Sequence, residues 1–239
     1  MTAHIVKSYD QDLAMLDQTV ADMGGRCELL LANAVAALER RDPKRAQAAV
    51  VSDAEIDELE RGLQEQVIRM IARRQPMAND LRHVMTVMKI GGGLERIGDL
   101  AKNIAKRGIA IAHETPPKSL LIGLNHMTEH ALLQLKDVLD AYASRDAEKA
   151  LKVWNNDAKI DLLYNSMFRE MLTYMMEDPR NIGMCTHFLF GAKNIERIGD
   201  HTTNIAEHVH YLVHGVLPEG ARPKGDDTSI MVVQPKPKS

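Results

Sequence analysis

The chain has 239 residues, of which 45% are hydrophobic, 26% charged and 4% aromatic. The hydrophobic share is enough for a core, the length suits one or two domains, and the scarcity of aromatic residues argues against an all-β sandwich or barrel. A net charge of -3 and a pI of about 6.4 exclude the strongly basic surface typical of nucleic-acid-binding proteins. We therefore expect a mainly helical globular protein without a nucleic-acid partner.

Neither the cysteines nor the apolar segments indicate a secreted protein or a membrane protein. Cys27 and Cys185 are far apart and lack the spacing of a disulfide framework or a thiolate zinc site. The N-terminal segment does not have the pattern of a signal peptide, and no uninterrupted apolar stretch reaches about 18 residues. The sequence therefore predicts a cytoplasmic protein with no direct insertion into a membrane.

Prolines divide a pattern of apolar residues at helical spacing into six segments. Asp42 and Asp146 each precede such a segment and predict N-caps, the first of them with Pro43 at the first helical position. The stretch after Leu217 is rich in proline, glycine and charge, which predicts a disordered C-terminal tail. We predict an all-α fold whose helices cover residues about 8–41, 43–74, 78–112, 117–143, 146–177 and 180–214.

The sequence contains an internal repeat. Residues 41–60 match residues 145–164 at an offset of 104, and residues 94–105 match residues 195–206 at an offset of 101. A difference of three residues between the offsets is easily absorbed by a loop. The repeat therefore predicts a tandem of two three-helix bundles. Its parts are a first bundle over residues 1–114, a second over residues 115–216 and a flexible tail over residues 217–239.

Four pairs of acidic residues are spaced one helical turn apart, two pairs in each half. Carboxylates at positions i and i+4 lie on one face of a helix and repel each other by roughly 0.2–0.5 kcal/mol per pair. A divalent or trivalent cation between them removes this repulsion, because hard cations prefer oxygen ligands. We therefore predict a carboxylate-rich metal site in each half. The candidate ligands are Asp53, Asp57, Glu95 and Asp99 in the first half and Asp157, Asp161, Glu196 and Asp200 in the second.

The alternative is that these acidic residues form ordinary solvated helix faces. On a helical wheel Glu95 and Asp99 lie nearly opposite the apolar stripe of their helix. Lys102 could neutralise this pair, but its counterpart in the second half is Thr203. Ion pairing within one helix therefore does not explain why the carboxylates occur in both copies, and the metal interpretation is favoured.

A second metal-binding pattern occurs once. The segment from His126 to His130 matches the H-x-x-E-H pattern, in which the two histidines bind zinc and Glu129 acts as general base. The equivalent positions in the first half are Asp22 and Arg26, so the repeat does not preserve the pattern. A metal-dependent hydrolase stays open as an alternative function, and a purely structural helical dimer is another.

Several segments resemble the PhoU family, the phosphate-specific transport accessory proteins of bacteria. The resemblance spans about residues 8–214 and implies two three-helix bundles related by pseudo-twofold symmetry. It also implies multinuclear iron or zinc clusters at the eight acidic residues given above, and magnesium or manganese also suit carboxylate oxygens. The segments that carry the resemblance, two of which contain the ERIGD motif, are Ala72 to Met85, Leu94 to Arg107, Met171 to Ile182 and Asn194 to Glu207.

The resemblance implies a regulator and not an enzyme. Similar proteins are negative regulators of the phosphate-starvation response and of high-affinity phosphate uptake, and they link the phosphate ABC transporter to a sensor histidine kinase in the membrane. By this resemblance we expect the chain to bind the ATPase subunit of the transporter and the kinase. We also expect it to form homodimers or larger assemblies.

Overall fold

The fold is that of a computed structural model, which describes residues 2–156 and 158–220, with side chains from residue 9. Within these ranges the chain forms seven α-helices and no strand, which confirms the predicted all-α class. The helices are α1 (Thr2–Arg40), α2 (Pro43–Arg74), α3 (Asn79–Ala110), α4 (Lys118–Ser144), α5 (Ala147–Asn155), α6 (Ala158–Glu177) and α7 (Ile182–His214).

Both predicted N-caps are confirmed. The side chain of Asp42 accepts hydrogen bonds from the backbone N–H groups of Lys44 and Arg45 at 3.0 Å each, which starts α2. Asp146 accepts one from the backbone N–H of Lys149 at 2.9 Å, which starts α5. These aspartates satisfy amide groups that have no partner inside the helix.

The predicted fifth helix, residues 146–177, is interrupted in the structure, where α5 ends at Asn155 and α6 begins at Ala158. The break follows Asn155 and Asn156, whose short amide side chains compete with the helix for backbone hydrogen bonds. Nε2 of Gln134 on α4 donates to the backbone oxygen of Asn156 at 3.2 Å. The same carbonyl group also accepts from the backbone N–H of Lys159 at 3.4 Å, so it is satisfied although the helix is interrupted there.

The helices form the predicted tandem of two bundles. The first contains α1, α2 and α3, and the second contains α4, the α5–α6 pair and α7. The bundles also pack on each other, α3 against α7 and α1 against α4, and one continuous core of buried apolar side chains runs through both. The helices α3 and α7 are therefore central to the molecule.

Glycines allow α3 to approach its neighbours closely on two sides. A Cβ atom at Gly91 would collide with the side chain of Leu63 on α2. On the other side, a Cβ atom at Gly93 would lie 3.2 Å from Cγ1 of Ile205 on α7. The side-chain hydrogen of glycine leaves this room, at a cost in helix propensity of about 1 kcal/mol relative to alanine.

Three further predictions concern the tail, the cysteines and the membrane. Residues 217–220 follow the last helix without regular structure, and the rest of the predicted disordered tail, residues 221–239, lies outside the described residues. Cys27 and Cys185 are both buried, free thiols. Over the ranges that the structure describes, every helix is too short or too polar to cross a lipid bilayer.

Candidate functional site

The first carboxylate cluster lies between α2 and α3. Asp53 projects from the buried face of α2 and is only 2% exposed, whereas Asp57, one turn later, is half-buried. From α3 come Glu95 and Asp99, which are also half-buried. Gly98 lets the two helices approach, because a Cβ atom there would lie only 3.0 Å from Oδ1 of Asp53.

A lysine joins the acidic residues of the two helices. Nζ of Lys102 donates to Oδ2 of Asp53 and to Oδ1 of Asp99, each at 2.5 Å. Burial alone would lower the pKa of Lys102, but these two hydrogen bonds outweigh burial and raise it above its ordinary value. The lysine is therefore held in its charged form and connects α2 with α3.

Burial is the largest influence on the pKa values of two carboxyl groups in this cluster, those of Asp53 and Glu95. It raises the pKa of Asp53, and the hydrogen bond from Lys102 offsets part of this increase. Oδ1 of Asp53 is buried without a hydrogen-bond partner. The pKa of Glu95 is also raised, by burial first and then by the negative charges of Asp99 and Asp57, with Arg96 acting in the opposite direction.

The second cluster lies between α6 and α7. Asp161 of α6 is 4% exposed and Glu196 of α7 is 5% exposed, while Asp200 is half-buried. Burial raises the pKa of Glu196 to about 7, an effect that Lys193 reduces and that Asp200 and Asp161 strengthen. The remaining candidate ligand, Asp157, lies outside the described residues.

Lys193 provides the positive charge in this second cluster. Its Nζ lies 3.0 Å from Oε2 of Glu196, three residues further along the same helix, and 4.9 Å from the centroid of the Tyr164 ring on α6. The inference that the second copy lacks a lysine partner is therefore wrong. Sequence reasoning considered the counterpart of Lys102 and missed Lys193, although its i,i+3 spacing to Glu196 was a usable signal.

The solvated-face interpretation is also wrong for three of the acidic residues. Asp53, Asp161 and Glu196 are buried, because α2 and α6 cover the faces of α3 and α7 that a single helical wheel leaves open. Glu95 and Asp99 are half-buried, so they are neither fully solvated nor enclosed between the helices. Of the eight predicted site residues, the structure thus brings four together in the first half and three in the second.

The described carboxylates are not arranged as a ready-made metal site. Among the described residues, no group of three or more His, Cys, Asp or Glu side chains is arranged so that it could hold a metal ion. In the first cluster the ammonium of Lys102 binds one oxygen of Asp53 and one oxygen of Asp99. The donor set has the oxygen chemistry that hard cations prefer, so metal binding stays a prediction that requires a rearrangement of the cluster.

The H-x-x-E-H segment lies on α4 and shows no sign of a catalytic site. His126 and Glu129 are exposed and His130 is half-buried. The three side chains belong to the part of the chain in which no potential metal-binding group of three occurs. The geometry therefore provides no support for the hydrolase alternative.

Comparison with known proteins gives the same division into two repeats. The family model of the PhoU domain matches residues 20–108 and residues 124–209. The first match begins inside α1 and ends near the C-terminus of α3, and the second begins inside α4 and ends inside α7. Each bundle is therefore one copy of this domain.

Relatives of known name are similar over nearly the whole chain. A phosphate-specific transport system accessory protein PhoU homolog of Rhizobium meliloti (strain 1021) is 52% identical over 229 residues, which cover 96% of this chain and 97% of the relative. The protein of the same name from Caulobacter vibrioides (strain NA1000 / CB15N) is 48% identical over 226 residues, which cover 95% of this chain and 98% of the relative. These relatives are named as transport accessory proteins and not as enzymes.

Solved structures agree with the sequence relatives. PhoU from Pseudomonas aeruginosa has a TM-score of 0.84 at 38% identity and covers 87% of this chain and 100% of its own. The phosphate transport system regulatory protein PhoU from Streptococcus pneumoniae has a TM-score of 0.81 at 27% identity, with 88% and 99% covered. Since the domain model accounts for more than half of the chain and the relatives span almost all of it, the chain belongs to the PhoU family.

Proposed function

We propose that this protein is a cytoplasmic negative regulator of the phosphate-starvation response and of high-affinity phosphate uptake. Its partners in this proposal are the ATPase subunit of the phosphate ABC transporter and the phosphate-sensor histidine kinase. The observation that carries the proposal is the 52% identity to a phosphate-specific transport accessory protein, which extends over both bundles and 96% of the chain.

The architecture suits a protein that bridges two partners. The two bundles match the same domain model, and the core that runs through both holds them together. A bridging protein changes the state of a kinase only if it binds one state of that kinase better than the other. We therefore propose that binding to the kinase favours its phosphatase state when phosphate is plentiful, and that binding to the transporter supplies the link to phosphate uptake.

Deletion of the gene tests the regulatory role. In phosphate-rich medium, a reporter of the phosphate-starvation response should become active in the deletion strain and silent again when the intact gene is restored. A reporter that stays silent in the deletion strain contradicts the proposal. The same assay with a variant carrying Glu95→Gln, Asp99→Asn, Glu196→Gln and Asp200→Asn tests whether regulation needs the carboxylate clusters. Wild-type repression together with wild-type metal content in that variant favours the alternative of a structural helical dimer in which these residues have no binding role.

Binding experiments test the partners and the oligomeric state. The purified chain should retain the ATPase subunit and the cytoplasmic part of the kinase, each mixed with it separately, and sedimentation equilibrium should give a homodimer or a larger assembly. Failure to retain either partner contradicts the bridging role. A monomer at micromolar concentration contradicts the proposed assembly and leaves the regulatory assay as an independent test.

Metal binding is a separate proposal, which rests on oxygen-donor chemistry and on the family resemblance. Protein purified without a chelator should contain iron or zinc, and the variant with the four carboxylate substitutions should contain none. Negligible and equal metal content in the two proteins contradicts this proposal. The regulatory assay does not depend on the result.

A further inference from the structure

We propose that Lys102 is a built-in counter-ion that excludes divalent cations from the first carboxylate cluster. Its ammonium lies 2.5 Å from carboxylate oxygens on both sides, Asp53 on α2 and Asp99 on α3. Only 21% of the Lys102 side chain and 3% of the Asp53 side chain are exposed, so the contact is sheltered from water. A lysine in this position performs the charge neutralisation that a metal ion would otherwise perform.

A cation cannot bridge Asp53 and Asp99 in the position that Lys102 occupies. Divalent cations are held by carboxylate oxygens at roughly 2.0–2.6 Å, and one oxygen of each of these two residues already accepts from Lys102. A metal ion close to the ammonium would also be repelled by its like charge. Binding would therefore require the lysine to leave two short hydrogen bonds.

The cluster retains an unused oxygen donor. Oδ1 of Asp53 is buried and has no hydrogen-bond partner, and it faces the backbone of Gly98. Asp57, Glu95 and Asp99 add three more carboxyl groups nearby, of which Glu95 and Asp99 approach Arg96 at 3.5 and 3.8 Å. The positive charge of Lys102 thus leaves part of the negative charge uncompensated, and its removal would leave a set of oxygen donors without their bridging cation.

The second cluster has a different residue at the position of Lys102. Thr203 stands at the position equivalent to Lys102, and its hydroxyl group donates to the backbone oxygen of Asp200 at 2.8 Å. Lys193 reaches Glu196 from the preceding turn of α7 and also contacts the Tyr164 ring. The proposed exclusion therefore concerns the first cluster, and in this proposal the iron or zinc expected above belongs to the second cluster.

Calorimetric titration of the full chain with Mn²⁺, and separately with Zn²⁺, tests the proposal. Lys102→Met should gain one binding site per chain, with an affinity higher than that of the wild type by about tenfold or more, a size that neighbours of metal ligands commonly contribute. Adding Asp53→Asn to Lys102→Met should abolish the gain. Lys106→Met is the matched control, since Lys106 is an exposed lysine on the same helix, and it should bind both ions as the wild type does.

Two results overturn the proposal. One is equal binding of both ions by the wild type and Lys102→Met. The other is a loss of bound ion when Asp53→Asn is introduced into the wild type, which would show that the first cluster binds metal with its lysine present. If Lys102→Met is unfolded without metal, circular dichroism in the presence of Mn²⁺ or Zn²⁺ decides: recovery of helical signal supports the proposal and no recovery overturns it. Because the titration measures ion binding alone, its outcome is distinguishable from failure of the proposed regulatory function.

Discussion

The two carboxylate clusters have equivalent acidic residues but differ in the source of their positive charge. In the first, Lys102 follows the acidic pair of α3 and joins it to Asp53 on α2. In the second, Lys193 precedes the pair of α7, binds Glu196 and contacts an aromatic ring of α6. The repeat thus keeps the carboxylates and moves the counter-ion. Lys102 bridges two helices in the first half, and in the second half Glu196 is a buried carboxyl group whose pKa is raised.

The largest expected difference between the two clusters is the loss of stability when each lysine is replaced in turn. Lys102→Met leaves Asp53 as an unpaired charge in a buried position and should lower the free energy of unfolding by about 3–5 kcal/mol. Lys193→Met should cost less, about 1–2 kcal/mol, because Glu196 can take up a proton. Urea denaturation at neutral pH measures both changes.

The double variant Asp53→Asn/Lys102→Met is the control for this prediction. It removes both charges and should recover much of the stability that Lys102→Met loses, since neither group is then left alone. Equal losses for Lys102→Met and Lys193→Met would contradict the difference between the clusters.

The ion bridge also depends on the close approach of α2 and α3. Gly98→Ala places a Cβ atom 3.0 Å from both Oδ1 of Asp53 and Cδ1 of Ile56, which must move apart. We expect a loss of about 1–3 kcal/mol in the free energy of unfolding, measured by urea denaturation. Gly62→Ala on α2 faces open space and should instead increase stability by about 0.5–1 kcal/mol. A stabilising Gly98→Ala would show that the helices are further apart than described.

The pH dependence of stability distinguishes the second cluster. Burial raises the pKa of Glu196 to about 7, above its value in the unfolded chain. The unfolded state therefore loses its proton first, and stability falls as the pH rises from about 4.5 to about 7, with no further loss above that range. The Glu196→Gln variant has no carboxyl group at this position to ionise, so it should not show this loss of stability.

Relative to the wild type, Glu196→Gln should be more stable by about 1–2 kcal/mol at about pH 8, a gain limited by the loss of the Lys193 ion pair. The advantage should disappear at about pH 5, where the wild-type carboxyl group is protonated in the folded state. Urea denaturation at the two pH values measures it. A difference that is independent of pH would contradict the raised pKa.

The features that sequence reasoning predicted are those encoded over short distances. Asp42 and Asp146 cap helices because each one bonds to amide groups two or three residues away. The bond from Gln134 to the backbone of Asn156 at the helix break was missed, because Gln134 lies on another helix. The partnership of Lys102 with Asp53 was missed for the same reason, since the register between two antiparallel helices is not contained in the periodicity of either one.

Anomalous diffraction from crystals of the wild-type protein soaked in Mn²⁺ tests the central difference between the clusters most directly. With Lys102 as the resident cation, we expect no anomalous peak between Asp53 and Asp99 and clear density for the lysine side chain between these two residues. A manganese peak at that place, with the lysine side chain displaced, would contradict the account.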